Sequence, residues 1–515
     1  MAGSRILSVP KMPPRYVLTS ILCSFGGFLF GIDTGIIGPV TVMSKFSAQF
    51  GLLSSTVHGL VVSAILIPAA LSSFFAGRVA DFLGRPKGIS IGALIFGLGA
   101  ALEAGAASLG MFIAGRCIEG IGEGLYLGTL VVYICEISPP SKRGPLTSGP
   151  QLLITLGLVV GFFTCYGTTN IDSSLSWRLP FAILAALAFA FSAAALLWLI
   201  PSPRWLSLHG RAAEAAEAWD FLGVSHAERE KLGIDEEEEE RRVSVNIEPV
   251  VGPSAGCLPS DKSKDAQVTT SPAESRRKGG PWALFARDVR ARTIFAIFLM
   301  GMQQLSGIDG VLYYAPLLFQ QAGLTSSEAS FLASGVSALA IFGVTIPALI
   351  WSDRWGRRHS TILGGVGITI IMFLIGGLYA GNAVHAHTGA GRWIVIVSIY
   401  LFAVIYSLSW GVAIKIYAAE IQPQHTRAAA TSVAHGSNWA CNFLVALVTP
   451  ILLSRSSFGA YFLFGGCNLI TAVVCIFAMP ETKGRSLEEI EEVFKKKQVG
   501  TKGLVQVLGN VFGGK

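Results

Sequence analysis

Hydrophobic residues in this chain are grouped into runs of about 20 positions, separated by polar stretches. A helix of this length crosses the hydrocarbon core of a bilayer, and it satisfies its own backbone hydrogen bonds where lipid offers none. We therefore predict an all-α membrane protein of twelve spans. The predicted spans lie near residues 16–40, 57–80, 88–107, 111–135, 147–167, 178–200, 293–321, 328–351, 360–381, 393–418, 428–453 and 457–479.

One polar stretch, residues 207–290, is much longer than the others. It begins with an Ala- and Glu-rich piece (Arg211 to Leu222), passes through the acidic run Asp235 to Glu240, and continues as a Ser-, Pro- and Gly-rich segment. Low hydrophobicity and high charge predict a linker that is partly helical and largely disordered. The predicted domains are an N-terminus (1–15), a six-helix bundle (16–206), the linker (207–290), a second six-helix bundle (291–480) and a C-terminal tail (481–515).

Composition agrees with a membrane protein and argues against a soluble enzyme. Hydrophobic residues make up 52% of the 515 positions, charged residues 14%, and the mean hydropathy is +0.58. A soluble domain carries about a quarter charged residues. The sequence contains no nucleophile elbow, phosphate loop or metal-ligand cluster, and Gly120-Ile-Gly122-Glu-Gly124 lies inside a span, where such glycines serve helix packing.

The net charge of +7 is spread over short loops and does not form one patch, so we expect no nucleic-acid partner. The basic loops all fall on one side of the predicted spans, which the positive-inside rule assigns to the cytoplasm. An even number of spans then places both termini on that side. The residues that mark it are Arg78, Arg85, Lys87, Lys142, Arg143, Arg354, Arg357 and Arg358.

The two halves of the chain repeat the same motifs. Gly77-Arg-Val-Ala-Asp81-Phe-Leu-Gly84-Arg85 follows the second span, and Trp351-Ser-Asp353-Arg354-Trp-Gly356-Arg357-Arg358 follows the eighth. Glu136 precedes Arg143 by seven positions at the end of span four, and Glu420 precedes Arg427 by seven at the end of span ten. Motifs that recur at matching helix ends indicate a duplicated six-helix unit.

Together these motifs resemble the sugar porter family of the major facilitator superfamily, over nearly the whole chain outside the termini and linker. Further matching segments are Gly31-Ile-Asp33-Thr-Gly35, Gly115-Arg116, Trp177-Arg178-Leu-Pro180, Pro203-Arg204-Trp205-Leu206, Gln303-Gln304-Leu-Ser-Gly307-Ile, Tyr313-Tyr314, Asn438-Trp439 and Pro480-Glu481-Thr-Lys-Gly484. The resemblance implies the major facilitator fold, in which two six-helix bundles rock about a central site. It also implies a multi-pass plasma-membrane transporter in the lipid bilayer, a functional monomer, with protons as coupling ion, no cofactor and no metal.

The resemblance implies that acidic and basic residues at the cytoplasmic helix ends latch that side shut in the outward-facing state. The alternative is solvated ion pairs, each worth about 0–1 kcal/mol. Pro201 departs from the family, whose Pro-Glu-Ser-Pro-Arg motif has Glu there. The residues predicted to form the latch are Asp81, Arg85, Glu136, Arg143, Asp353, Arg357, Arg358, Glu420 and Arg427.

Ionisable residues inside spans are expensive and usually functional. Asp33 lies in span one, where a carboxylate in the family marks proton symporters, and Arg116 in span four matches its family partner. We expect substrate binding to separate the pair, after which the desolvated Asp33 takes a proton. The alternative is a static ion pair.

Span four carries two further acids. Glu119 and Glu123 lie three and seven positions after Arg116, on one helix face, where the family has small or apolar residues. Glu119 is predicted to share Arg116 with Asp33, which would make a coupled titrating group. The alternative places Glu123 near a water-filled end, where it would be hydrated. Glu103 in span three is also acidic.

The resemblance also implies the residues of the substrate pocket. Amide side chains suit sugars because each offers a donor and an acceptor. The predicted amides are Gln151, Gln303, Gln304, Asn438 and a further candidate, Asn442. The predicted aromatic walls and gates are Tyr313, Tyr314, Trp410 and Trp439, for which the alternative is packing in the core or against lipid.

Two pocket positions depart from the family. Asp309 stands where the family has Asn, and Trp410-Gly-Val412-Ala-Ile-Lys415 replaces the pattern Trp-Gly-Pro-x-x-Trp. A buried lysine needs a partner. Lys415 is predicted to pair with Asp309, or to bind an anionic group on the substrate, or to do both in turn.

The predicted function is proton-coupled import of a monosaccharide or sugar acid by alternating access, with a galacturonate-like or quinate-like acid favoured by Lys415. The first alternative is a proton symporter for a neutral hexose or pentose. A more remote alternative is a nutrient sensor that does not transport. Sensors of this fold tend to have long cytoplasmic tails, and residues 481–515 are few.

Overall fold

The computed structural model describes residues 13–224, 229, 286, 289–324, 326–385, 389–423 and 426–483, and at residues 140, 141, 327, 328, 352–354, 427 and 428 it describes the backbone alone. These residues form helices and no strands. The acidic run and most of the predicted linker, the first twelve residues and the tail from residue 484 lie outside the described residues.

The N-terminal half contains eleven helices within the described ranges. They are α1 (Arg15–Val42), α2 (Ser44–Phe50), α3 (Ser55–Ser63), α4 (Leu66–Leu83), α5 (Arg85–Ala104), α6 (Leu109–Ile137), α7 (Pro140–Thr147), α8 (Gly149–Thr168), α9 (Leu175–Trp198), α10 (Pro203–Leu208) and α11 (Ala212–Leu222).

The C-terminal half contains nine helices in the part of the chain that is described. They are α12 (Arg290–Gln304), α13 (Ile308–Tyr313), α14 (Ala315–Gln321), α15 (Ser327–Trp355), α16 (Arg357–Ala380), α17 (Gly391–Leu408), α18 (Trp410–Glu420), α19 (Arg427–Arg455) and α20 (Gly459–Ala478).

Twelve of the helical segments are long and apolar enough to cross a membrane, which confirms the predicted number. Each half has its own hydrophobic core. In the first half α1 packs on α8, and α6 packs on α4 and α5; in the second α12 packs on α19, and α16 on α20. The halves meet where α19 contacts α3 and α4, and where α15 contacts α8. This is the predicted arrangement of two six-helix bundles.

The two faces of the bundle differ in charge. We call the face that holds Gly84, Pro139 and Gly356 the basic face, and the face that holds Gly51 and Gly105 the opposite face. The sequence predicts that the basic face is cytoplasmic. The helical start of the linker is found on the basic side: α11 ends at Gly223, whose φ of 74° is a left-handed cap.

Spans seven and ten are broken beside the predicted pocket. The expected span 293–321 divides into α12, α13 and α14, and the first break is at Gly307, where φ is 88°. A Cβ atom there would also meet the ring of Phe464 at 2.6 Å, so this position requires glycine. Span ten breaks at Ser409, although Val412 stands where the family has its hinge proline. Broken helices expose backbone groups at the pocket.

Candidate functional site

Asp33 is held inside the N-terminal bundle by a close approach of two helices. Gly31, two residues before Asp33 on α1, lies so near the carbonyl of Ile154 on α8 that a Cβ atom would overlap it. Asp33 is 3% exposed and Arg116 is 1% exposed. The Nη1 atom of Arg116 donates a hydrogen bond to Oδ1 of Asp33, so the predicted pair is formed.

Arg116 has further acidic neighbours. The same Nη1 atom donates to Oε2 of Glu119 at 3.0 Å, and Oε2 of Glu103 lies 3.8 Å away. Glu119, Glu103 and Glu123 are 0% exposed. The arrangement predicted for Glu119, in which it shares Arg116 with Asp33, is therefore present. The hydrated position considered for Glu123 is wrong, because its side chain is fully buried.

The turn between spans three and four places this cluster. Arg178 on α9 donates to the carbonyl oxygens of Ala104 (2.6 Å) and Ala106 (2.8 Å), so it satisfies acceptors at the C-terminus of α5. Ser108 caps α6 by accepting a hydrogen bond from the backbone NH of Met111. The Trp-Arg motif of the sequence thus fixes the ends of the two helices that carry Glu103 and Arg116.

Amide side chains join spans seven and eleven in the C-terminal bundle. Nε2 of Gln304 donates to Oδ1 of Asn438 at 3.1 Å, and Nδ2 of Asn438 donates to Oε1 of Gln303 at 3.1 Å. Nε2 of Gln303 donates to the carbonyl of Trp410 at 2.7 Å. Gln303 is fully buried with both polar atoms engaged, so it positions its neighbours; its predicted contact with substrate is not available in this conformation.

Three pocket oxygens have no hydrogen-bond donor in the described part of the chain. They are Oε1 of Gln304, Oδ2 of Asp309 and Oδ1 of Asn442, and each atom is buried. Buried acceptors without partners are costly, and a polyol ligand would supply the missing hydroxyl donors. Gln304, Asp309 and Asn442 are therefore the predicted pocket residues with an unsatisfied buried acceptor among the described side chains.

Of the predicted aromatic residues, Trp410 and Tyr314 bond within the C-terminal bundle, whereas Trp439 contacts the other bundle. Trp410 is 0% exposed and its Nε1 donates to the carbonyl of Thr361 at 2.8 Å, so the prediction that it lines the pocket is wrong. Tyr314 donates to the carbonyl of Ala446 at 2.7 Å. Trp439 is half-buried and meets Phe30 of the other bundle edge to face, with ring centroids 6.2 Å apart.

Lys415 does not pair with Asp309 in this structure. Its Nζ donates to Oε1 of Gln151 on the other bundle at 3.3 Å, and the Lys415 side chain is exposed. Lys415 lies five residues before the end of α18 at the basic face, about 8 Å along the helix axis. The predicted ion pair is therefore corrected to an amide contact between bundles.

The bundles are closed against each other at the opposite face. A Cβ atom on Gly38 of α1 would overlap the carbonyl of Tyr313, and one on Gly59 of α3 would overlap the carbonyl of Leu447. His58, which the sequence reading did not single out, bonds through Nε2 to Oγ1 of Thr41 at 2.9 Å. Its ring also meets the ring of Tyr314, 5.2 Å between centroids. The contacts of His58 are visible only in the folded chain, because Tyr314 lies far from it in the sequence.

The predicted latch residues form ion pairs within each bundle. Arg85 binds Asp81 (2.7 Å) and Glu136 (3.0 Å) in the N-terminal half, and Arg357 binds Glu420 (3.0 Å) in the C-terminal half. The described side chains show no ion pair between the bundles at the basic face. Within the described side chains, the predicted latch residues therefore join helices of one bundle and not the two bundles.

The remaining latch residues have other surroundings. Arg143 does not reach Glu136, and its Nε and Nη2 atoms are buried without a hydrogen-bond partner among the described residues. Arg358 donates through Nη2 to the carbonyl of Ile476 at 2.8 Å. The side chains of Asp353 and Arg427 lie outside those that the structure describes.

Glu481 belongs to the Pro480-Glu481-Thr-Lys-Gly484 motif, but its structural role is visible only in the folded chain. Its carboxylate accepts hydrogen bonds from the backbone NH groups of Arg357 (2.9 Å) and Arg358 (3.1 Å), at the first turn of α16. Gly356 offers that helix no side-chain cap, so a residue 124 positions away supplies it. Burial opposes ionisation of Glu481, but backbone hydrogen bonds from Lys483, Arg357 and Arg358 outweigh it and lower its pKa.

A family model described as "Sugar (and other) transporter" matches residues 19–494. The chain belongs to this family. It is a sugar porter of the major facilitator superfamily, a membrane transporter and not an enzyme.

Relatives of this porter are named for different functions. It is 29% identical to the "High glucose sensor RGT2" of Saccharomyces cerevisiae in an alignment of 495 positions that covers 93% of this chain and 61% of the sensor. It is also 29% identical to the "Probable quinate permease" of Neosartorya fischeri in an alignment of 517 positions that covers 94% of this chain and 88% of the permease. The chain thus spans about three fifths of the length of the sensor.

Solved structures support the fold. The xylose transporter XylE from E. coli, in a partially occluded inward-open conformation, matches with a TM-score of 0.69 and 22% identity over 92% of this chain and 99% of that one. The proton:xylose symporter XylE bound to 6-bromo-6-deoxy-D-glucose matches with a TM-score of 0.71 and 24% identity, over 93% of this chain and 99% of that one. At this level of identity the likeness establishes the major facilitator fold.

Proposed function

We propose that this sugar porter is a proton-coupled symporter that imports a monosaccharide or sugar acid across the plasma membrane. The observation that carries the proposal is the buried ion pair between Asp33 and Arg116, in a bundle whose helix α1 contacts the broken span seven at Gly38 and Tyr313. A charged pair inside an apolar bundle is costly to keep, and a role in moving protons accounts for it.

Coupling follows from the position of Asp33. In the structure Asp33 is bound to Arg116, as an ionised carboxylate would be. Substrate that contacts Asp309 and neighbouring groups would shift α13, and α13 packs directly on α1. Once Asp33 leaves Arg116, its apolar surroundings favour the protonated form. A neutral Asp33 no longer resists the rocking of the bundles, and substrate and proton leave together at the basic face.

The conformation supports alternating access with release at the basic face. The opposite face is closed by backbone contacts at Gly38 and Gly59, whereas Lys415 near the basic face is exposed. If the basic face is cytoplasmic, as the charge pattern indicates, this is an inward-facing state. Closing that side would bring new pairs together, and Arg143 has two buried donor atoms that are available for one among the described residues.

An acidic substrate is favoured by Lys415. The Lys415 side chain is exposed, and its hydrogen-bond partner is the neutral amide of Gln151. A carboxylate on a galacturonate-like or quinate-like acid would complete a charge-assisted hydrogen bond with it. Several relatives carry the printed name "Probable quinate permease", which agrees with this choice. The neutral alternative is supported by the amides and by similarity to a "High-affinity glucose transporter" of Kluyveromyces lactis.

The test is uptake into proteoliposomes with an imposed proton gradient. Labelled galacturonate, quinate, glucose and xylose are compared at several pH values, for the native protein and for Lys415→Trp. We expect uphill uptake of an acid, and a loss of about tenfold or more in acid uptake in Lys415→Trp, since a charge-assisted bond contributes about 1.5–3 kcal/mol. Acid uptake unaffected by that substitution would remove the reason for preferring an anion.

A second candidate function is a nutrient sensor that does not transport. It is favoured by one observation, the 29% identity to a protein named as a high glucose sensor, equal to the identity to the permeases. The same proteoliposomes separate the two. A sensor would bind a sugar, measured by calorimetry, yet move none of the four labelled compounds in either direction.

A further inference from the structure

Three carboxyl groups surround a single arginine in the N-terminal bundle, and a fourth lies one turn further along α6. Asp33 comes from α1, Glu103 from α5 and Glu119 from α6, each with an oxygen 3.8 Å or less from Nη1 of Arg116, and Glu123 follows Glu119 on α6. All five residues are at most 3% exposed. One guanidinium cannot balance all of these carboxylates in ionised form, because uncompensated charges in an apolar bundle are strongly unfavourable. The cluster must therefore hold protons even while Asp33 is ionised.

Glu103 and Glu119 are brought together by glycines. Gly99 on α5 lies against the backbone of Glu119, and a Cβ atom on Gly115 of α6 would meet Cγ of Glu103 at 2.6 Å. The two helices approach so closely at these glycines that both acids lie between them.

The contact between Glu103 and Glu119 requires a proton. As a carboxylate, Glu103 would have no donor for either oxygen within the described residues, and Oε1 of Glu119 would have none. Both side chains lie against the same Nη1 atom of Arg116, with Oε2 of Glu119 at 3.0 Å and Oε2 of Glu103 at 3.8 Å, so the two carboxyl groups are neighbours. Ionised carboxylates only accept hydrogen bonds, so two carboxyl groups bond to each other only when one is protonated.

We propose that Glu103 and Glu119 share a resident proton that is not transported, and that this pair keeps Arg116 neutralised when Asp33 leaves it. The proposal rests on the proposed role of Asp33 as the coupling carboxylate. While Asp33 is ionised, the cluster carries its charge, the charge of Arg116 and one negative charge on the Glu pair. When Asp33 takes a proton, the Glu pair and Arg116 remain balanced, and the buried arginine is never left without a partner.

The surroundings of the pair contain few other titratable groups. Glu123 lies one turn further along α6, and neither of its oxygens has a donor in the described ranges. Helix α4, which also packs on α6, brings the hydroxyl of Ser72 close to Gly124. The titratable or charged groups that face the pair or its neighbours are Asp33, Arg116, Cys117, Glu123, Tyr126 and Tyr313.

Glu119 is thus a positioning residue for coupling, and Glu103 is its proton partner. In Glu119→Gln, release of Asp33 would leave Arg116 without its second carboxylate, so Asp33 should hold Arg116 to lower pH. In Glu103→Gln, the amide donates to Glu119 as the protonated acid does, so coupling should persist. The two substitutions remove one acid each from the same contact, and only the first should alter proton coupling.

The test uses the purified full-length protein in proteoliposomes. Infrared difference spectra at neutral pH report the carbonyl stretch of protonated carboxylic acids. We expect a band that Glu103→Gln loses and that Glu214→Gln, a substitution in a half-exposed ion pair, retains. In transport, we expect the pH dependence of substrate uptake in Glu119→Gln to move about one unit or more to lower pH. Uptake by Glu103→Gln should stay within about threefold of native, with the native pH profile.

Either of two results would overturn the proposal. One is an infrared band unchanged in Glu103→Gln, which would mean that no proton resides on that contact. The other is a native pH profile in Glu119→Gln, which would reduce Glu119 to a packing residue. Loss of uphill uptake in Glu103→Gln would equally contradict a resident proton. The infrared result does not depend on transport, so it is separable from any failure of Asp33 to act as the coupling group.

Discussion

Arg116 has more carboxylate neighbours than one cation can neutralise, and the helices that carry these neighbours indicate which one acts in coupling. Asp33 comes from span one and Glu103 from span three, whereas Glu119, three positions from Arg116 on the same helix, moves with it. Helix α1, which carries Asp33, also contacts α13 of the broken span seven. Because a shift of span seven reaches the cluster through α1, Asp33 is the residue on which coupling should depend.

The first prediction concerns Asp33→Asn. The amide can still accept a hydrogen bond from Arg116 but cannot carry a proton in and out. We expect uphill accumulation of substrate to fall to the level of equilibration, while exchange of labelled for unlabelled substrate continues. Both are measured in proteoliposomes with and without a proton gradient. Undiminished accumulation in this variant would refute the coupling role, and the native protein without a gradient is the control.

At the scale of the helices, the two halves differ in how their third spans begin. Helix α16 starts after Gly356 and is capped by Glu481 from beyond the last span. Helix α5 starts after Gly84 in the same way, with no side-chain cap. The position that corresponds to Glu481 is Pro201, which has no carboxylate. The two halves therefore share the glycine turn before the third span, but only the second half has a carboxylate that caps the helix.

Substitution of Pro201 by Glu should restore the missing cap. A carboxylate at the first turn of α5 would accept backbone NH groups and interact with the positive end of the helix dipole, for a gain of up to about 1 kcal/mol. The measurement is thermal unfolding of the purified protein in detergent. Pro201→Gln separates the charge effect from the loss of proline. If Pro201→Glu is no more stable than Pro201→Gln, the carboxylate does not reach the helix.

The cap at Glu481 predicts a pH dependence of stability. Its pKa is lower in the folded protein than the ordinary value of 4.5, so its contribution is complete above that value and is lost as the pH falls through the folded pKa. Glu481→Gln should therefore unfold at a lower temperature than native at pH 7. The difference should shrink below about pH 4.5. A constant difference across that range would mean that the charge of Glu481 contributes nothing.

At the scale of the whole molecule, the ion pairs at the basic face hold each bundle together. Arg85 joins α4 to α6, and Arg357 joins α16 to α18, with no crossing between bundles among the described side chains. Arg143, by contrast, has two buried donor atoms without partners. A buried donor atom left without an acceptor is unfavourable, so this conformation does not satisfy these two atoms of Arg143.

Arg143→Gln should therefore shift the population toward the conformation described. If Arg143 finds its partner only when the basic face closes, neutralising it weakens that closed state alone. Spin labels on the two bundles at the basic face would report the distance distribution, and we expect more of the longer, open distance. Arg85→Gln is the contrast, since Arg85 is paired within one bundle and its loss should lower stability instead. An unchanged distance distribution in Arg143→Gln would contradict the pairing of Arg143 in the closed state.

The sequence by itself determined the twelve spans, their grouping into two halves and the pairing of Asp33 with Arg116. The spans follow from apolar runs whose length matches a bilayer, and the two halves follow from the repeated motifs. The pairing of Asp33 with Arg116 is what the resemblance to the family implies, and the cost of charges inside a span agrees with it. The contact between Glu119 and Arg116 could also be predicted from the sequence, because residues three apart share a helix face.

Only the tertiary structure decided which residues meet across the bundles. Lys415 bonds to Gln151 and not to Asp309, Trp410 is fully buried, and His58 joins the closed face beside Tyr314. Spacing along a helix fixes neighbours on that helix, but contacts between distant spans depend on how two rigid bundles are rotated against each other. That rotation changes during transport, so it cannot be written into any local pattern of residues.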